Sequence, residues 1–134
     1  VWRRRPTRHF GDECVPFADI SLRAASGRWR DISVLIDSGA VISVLRSSVA
    51  DMLGINLTDG ELVDLSGIGA PARHYYVHSC AARIGDLPEF RMRIAFSDRK
   101  DVPNLLGRLD VLERFQLTLD AKRMESRFAI TSTL

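Results

Sequence analysis

The sequence predicts an all-β chain closed into a barrel, with one or two short helices. Three observations carry that reading. Many short apolar runs alternate with polar residues at a period of two. Clusters of Gly, Asp and Ser punctuate them at short intervals. Only two segments show helical spacing, and both are brief. Many short strands with few helices suit a barrel, because closure removes exposed strand edges. The chain has 134 residues, 46% apolar and 27% charged, enough for one ordinary domain with its own core.

The elements follow in order. In "ADISLRA" Ile20, Leu22 and Ala24 alternate with Asp19, Ser21 and Arg23. "ASGR" gives a turn and "WRDISVLI" a second strand, so residues 18–36 read as a hairpin. "AVISVL", 40–45, is β-branched and apolar on both faces, which marks a central strand. "SSVADMLG" carries Ser at its start and Gly54 past its end, the signature of a two-turn helix. "ELVDLS", "GIGAP" and "ARHYYVHSCAARI" read as a long hairpin with a Gly-rich tip. "EFRMRIAF" puts Phe90, Met92, Ile94 and Phe96 on one face, with Arg91 and Arg93 on a solvated one. "NLLG" is a short apolar strand. "RLDVLERF" has Leu109, Leu112 and Phe115 at helical spacing, with Asp110 in its first turn, where negative charge is favoured. "FQLTLD", a turn at "AKR" and "SRFAIT" form a closing hairpin. Residues 12–134 show no repeat, low-complexity segment or linker.

Charge divides the chain unevenly. The net charge is +2, but residues 1–10 hold four Arg and no acid, which leaves 15 basic against 17 acidic residues beyond them. The expected organisation is a basic N-terminal arm at 1–11 and one folded domain at 12–134. The body is not a nucleic-acid surface by charge. No apolar run approaches the roughly 20 residues of a membrane helix, so no membrane contact is expected within this segment. The first residue is Val, as in a processed or excised domain. Cys14 and Cys80 are a single pair without metal spacing and read as buried or free thiols rather than a ligand set or a bridge, leaving the compartment open. His74 and His78 have no third ligand at suitable spacing, so no zinc site is expected.

One stretch demands a chemical explanation. "ISVLIDSGAVISVL" sets Asp37-Ser38-Gly39 inside an otherwise buried apolar run. A charge taken out of water is expensive unless something uses or neutralises it. Asp, Ser and Gly also build ordinary turns, so the break alone leaves a plain hairpin open. Ser38 lacks the strand-Gly-x-Ser-x-Gly-helix setting of a hydrolase nucleophile. The carboxylate of Asp37 is the chemical candidate.

Three motifs occur in order: Asp37-Ser38-Gly39-Ala40; the hairpin tip Ser66-Gly67-Ile68-Gly69-Ala70; and Asn104-Leu105-Leu106-Gly107-Arg108. Together they resemble the retropepsin-like aspartic proteases, the retroviral proteases and their single-lobe bacterial and eukaryotic relatives. "NLLGRLDVLERFQLTLD" is most similar to the cellular members, and the resemblance covers roughly residues 15–130. It implies a catalytic loop at Asp37, Ser38 and Gly39. It implies substrate contacts from Ala40 and from a flap at Ser66, Gly67, Ile68, Gly69 and Ala70. Leu105, Leu106, Gly107 and Arg108 would pack beneath the active loop. It also implies a polypeptide substrate and neither metal nor organic cofactor.

Peptide hydrolysis by carboxylates needs two of them sharing a proton, one ionised to accept from water and one protonated to donate to the carbonyl oxygen. This chain has a single such loop and the length of one lobe. The second carboxylate must then be Asp37 of another copy in a two-fold homodimer. The alternative is a non-catalytic dimerisation or peptide-binding module of the same fold. Retroviral members commonly carry acids after the Ala that pair with the Arg of the third motif. Val41 and Ile42 stand there instead, so Arg108 must find another partner or face solvent.

Overall fold

The structure, a computed structural model, describes residues 2–65 and 74–131. The expected flap tip, Ser66 to Ala70, lies outside the described residues. Strand β1 (Arg3–Pro6) pairs antiparallel with β2 (Asp12–Val15) across a turn in which the Thr7 Oγ1 hydroxyl donates to the Gly11 carbonyl. Arg3, Arg4 and Arg5 therefore lie in a paired strand. Ahead of them, buried Trp2 donates its indole N–H to Ser126 Oγ at 2.7 Å.

The remaining strands are β3 (Phe17–Arg23), β4 (Trp29–Ile36), β5 (Ser43–Leu45), β6 (Glu61–Asp64), β7 (His74–Arg83), β8 (Phe90–Ser97), β9 (Leu105–Leu106), β10 (Phe115–Asp120) and β11 (Glu125–Ile130). The large sheet runs β3-β4-β9-β5-β8-β7-β6, and β7 returns to β3 through Ser21↔Arg83 and Leu22↔Ala82. Six strands thus close into a barrel, with β6 attached outside β7. The 18–36 hairpin forms as expected, with Ile20 opposite Ile32. The β10–β11 hairpin forms a separate pair, Leu117 opposite Phe128.

Alternation fills the barrel. Ile20, Leu22, Val34, Leu45, Met92, Ile94, Phe96 and Leu106 form one core together with Leu53 and Val111. Each such side chain, fully buried, stabilises the fold by about 1.5–3 kcal/mol relative to exposure. The opposite faces of the central strands make a second cluster of Ile42, Val44, Tyr75, Ala95 and Leu105. Both faces of β5 are therefore covered, which is why residues 40–45 carry no polar alternation.

The topology that matters for function lies between β4 and β5. These strands are consecutive in the chain, yet β9 sits between them. It is parallel to β4 at Leu35↔Leu105 and Ile36↔Leu106, and antiparallel to β5 at Val44↔Leu105. Residues 37–42 must therefore leave one strand, pass around β9 and enter another. A loop at that point is a topological requirement.

Helix α1 (Ser47–Leu53) forms, and Gly54 ends it in the left-handed conformation at φ 70°. Its start differs from the sequence reading. Arg46 occupies the N-cap position and no side chain caps the helix. Burial of Val49, Ala50 and Leu53 holds it instead.

The expected helix over 108–115 is also corrected. Arg108–Leu112 form a wide turn, broken by extended Leu109 (ψ 126°) and left-handed Asp110 (φ 65°). Leu109 packs against the second cluster, whereas Val111 and Leu112 pack against the first. Helical spacing arose from residues that serve two different cores. No described helix is long and apolar enough to cross a membrane.

Candidate active site

Strand β4 delivers Asp37 at its end. The Asp37 N–H donates to the Leu106 carbonyl at 3.0 Å, continuing the contact with β9 by one residue. The chain then turns at once. Ala40 N–H donates to the Asp37 carbonyl at 3.1 Å, and Gly39 N–H donates to Asp37 Oδ1 at 2.9 Å. Asp favours such turns because its short side chain reaches a backbone N–H two residues on. Here the same bond fixes the carboxylate's direction. Asp37 is half-buried and, among the described residues, forms no ion pair. A partly desolvated carboxylate with no cation committed to it is chemically available.

The glycines have steric reasons. A Cβ on Gly39 would stand 3.2 Å from Asp37 Oδ1, tight enough to press on the carboxylate. A Cβ on Gly107 would stand 2.6 Å from both the carbonyl carbon and oxygen of Ile42, and 2.9 Å from the Ala40 oxygen. Only glycine lets the two segments touch. Ala40, buried, is small where the backbones converge.

The segment after β9 grips this loop along its length. Arg108 N–H donates to the Ala40 carbonyl and Leu109 N–H to the Val41 carbonyl, both at 2.9 Å. Gly107 N–H donates to Ser43 Oγ at 2.9 Å, satisfying a hydroxyl that is 1% exposed. The partner of Arg108 is a backbone group: its Nη1 donates to the Ser38 carbonyl at 2.7 Å. The guanidinium thus finds a partner without an acid after Ala40, where Val41 and Ile42 stand. Leu105 and Leu106 are buried, one in each core cluster. Leu106 and Arg108 are thus hydrogen-bonded to the loop of Asp37 to Ala40, and Gly107 to Ser43 just beyond it.

Several nearby groups differ from the sequence reading. Arg93 is not a free solvated charge. Its Nε and Nη2 donate to the two Asp110 oxygens at 2.8 and 3.0 Å, and its backbone N–H donates to Oδ2 at 3.0 Å. Those hydrogen bonds hold the Asp110 carboxyl below its ordinary value and tie β8 to the turn after β9. Asp110 thus acts as a clamp, and its left-handed backbone aims it there. Arg91 donates to the Ser79 carbonyl at 2.9 Å. His78 Nε2 lies 2.9 Å from the Leu57 carbonyl, and the described residues contain no cluster of potential metal ligands. Ser43 was missed, and Asn104, quoted as the start of the third motif, was given no role. Asn104 Oδ1 accepts the Arg46 N–H at 3.0 Å, and its carbonyl accepts the Leu35 N–H at 2.9 Å.

A family model described as "Aspartyl protease" matches residues 24–109. The chain belongs to the aspartyl protease family. Two solved structures share its fold. A retropepsin-like aspartic protease from Rickettsia conorii is 21% identical, with 90% of this chain and 89% of that one covered at a TM-score of 0.54. The retroviral protease-like domain of Ddi1 from Leishmania major is 14% identical, with 88% and 94% covered at 0.56. No curated protein matches the chain. The retropepsin-like fold of this aspartyl protease relative is thereby established, and Asp37 lies within the matched span.

Proposed function

We propose that this chain is an aspartic endopeptidase that acts as a homodimer, with Asp37 of each copy forming the catalytic pair. The observation that carries the reading is the intact loop of Asp37 to Ala40, whose carboxylate is oriented by Gly39 N–H and forms no ion pair among the described residues. An extended polypeptide lies over the two loops with its scissile carbonyl between the carboxylates. The ionised Asp37 takes a proton from water, and the water oxygen attacks the carbonyl carbon. The protonated Asp37 of the second copy donates to the carbonyl oxygen. The tetrahedral adduct then collapses: the C–N bond breaks, the amine leaves with a proton returned from the pair, and a new carboxyl remains.

Within this reading Ser38 hydrogen-bonds across the two-fold axis, and Gly39 and Ala40 let the substrate backbone approach. Residues Ser66, Gly67, Ile68, Gly69 and Ala70 close over the peptide. Leu105, Leu106, Gly107 and Arg108 keep the loop in place from beneath. The test is digestion of a peptide library by the purified chain. Cleavage that a statine-type transition-state mimic blocks, and that Asp37→Asn abolishes without unfolding, supports the reading. A folded, dimeric chain that cleaves nothing would leave the non-catalytic module as the answer.

A further inference from the structure

Beside β1, the start of β3, β4 and α1 lies a cleft of about 400 Å³, outside the loop of Asp37. Its polar lining is Arg3, Arg5, Arg46, Asp31, Ser33 and Asn104. Three arginines and one acid thus line it. The Asp31 carboxylate already accepts the Ser21 hydroxyl at 2.5 Å, and Arg5 is paired with Glu13 at the rim. Arg3 lies over the Phe17 ring at 4.2 Å and donates to Ser33 Oγ at 3.3 Å. Neither Arg3 nor Arg46 has an ion-pair partner among the described residues. Arg46 Nε is buried and, like Arg83 Nε on β7, has no hydrogen-bond partner among the described residues. Buried donors are rarely left unmatched, least of all on a cation, and each orphan calls for an explanation. The Arg46 backbone is meanwhile pinned by Asn104 Oδ1, which fixes where its side chain starts.

We propose that this cleft is an anion site for a phosphate-class oxyanion, either free or carried on a phosphorylated side chain. A tetrahedral oxyanion offers several acceptor oxygens to planar guanidinium forks, which pair with it through two parallel N–H donors. Its two negative charges match the two arginines that lack acids. Arg3, held on Phe17, and Arg46, anchored at its backbone, both line the cleft and supply the donors. The site goes beyond the protease reading and does not depend on it.

The test uses the full chain and inorganic phosphate, titrated by calorimetry and by thermal melting against chloride at matched ionic strength. The expected result is saturable one-to-one binding with a concentration-dependent rise in Tm. Arg46→Met and Arg3→Gln should each weaken it tenfold or more. Arg123→Gln, which removes one charge elsewhere, should leave it unchanged. A phosphoserine peptide and its unphosphorylated twin provide the second arm. Binding of the phosphorylated peptide alone assigns the site to a carried phosphate, and binding of inorganic phosphate alone to the free ion; both uphold it. Absence of saturable binding in both arms, or equal binding by wild type, Arg46→Met and Arg3→Gln, overturns the proposal. Arg3 is exposed, so its variant carries the test if Arg46→Met fails to fold.

Discussion

Gly107→Ala is the smallest substitution that should separate the two segments of the site. The added Cβ meets Ile42 backbone at 2.6 Å, about 0.8 Å inside the 3.4 Å at which ordinary contact begins. Neither neighbour is the end of a flexible side chain, so relief requires the β9 exit and the residue 40–42 loop to move apart. A separation of that size would stretch the 2.9 Å bond from Arg108 N–H to the Ala40 carbonyl past hydrogen-bonding range. Overpacking costs roughly 1–3 kcal/mol and the lost bond about 1 kcal/mol, so the expected loss is about 2–4 kcal/mol. For a domain of this size that corresponds to a Tm drop on the order of 10 °C. Calorimetric melting of the wild type and variant reads it, with urea unfolding as the second measure. Peptide cleavage should fall further than stability accounts for when assayed below both Tm values, because the loop that carries Asp37 is displaced. A variant melting within about 2 °C of wild type would refute the close-packing argument for this glycine.

Other outcomes follow from the same geometry. Arg108→Leu should keep the fold but lower kcat/KM about tenfold, roughly 1.4 kcal/mol, through loss of the bond to the Ser38 carbonyl; unchanged kinetics would remove Arg108 from the site. Asp110→Asn should destabilise the chain at neutral pH. The native Asp110 carboxyl is held below 3.8 by Arg93, so its contribution is present above 3.8 and fades as pH falls through the lowered native value. Urea midpoints of the two proteins should therefore converge in acid, and a constant gap from pH 7 to pH 2 would contradict the assignment. Burial pushes the Cys80 thiol up to about 11, so a thiol reagent at pH 8 should label the half-buried Cys14 in the native chain and reach Cys80 only after unfolding.

Much of the barrel could be read directly because its strands alternate. Phe90, Met92, Ile94 and Phe96 announce one buried face, and Ile20 with Leu22 another. The Asp37 loop was legible because a charge interrupts an apolar run whose two sides are both buried. The insertion of β9 between β4 and β5 was not, since parallel pairing across 70 residues leaves no local pattern. The partner of Arg108 was invisible for a different reason. A backbone carbonyl accepts from any residue type, so no side chain in the sequence points to it. The turn at 108–112 was misread because Leu109 and Leu112 imitate one helical face while packing into separate clusters. Asp110 and Arg93, 17 residues apart, each look like a solvated surface charge until the fold brings them together.

The central claim is that one chain supplies half of the catalytic pair. Subunit mixing tests it most directly. Wild-type chain is dissociated, mixed with an equal amount of Asp37→Asn, allowed to reassociate fully, and assayed at fixed wild-type concentration on a peptide that the wild type cleaves. With random pairing, half of the wild-type chains find a variant partner, so activity per wild-type chain should fall to about one half and continue down as variant is added in excess. Activity per wild-type chain that stays constant across the titration, with mixed dimers confirmed by mass, would contradict a shared pair of Asp37 carboxylates.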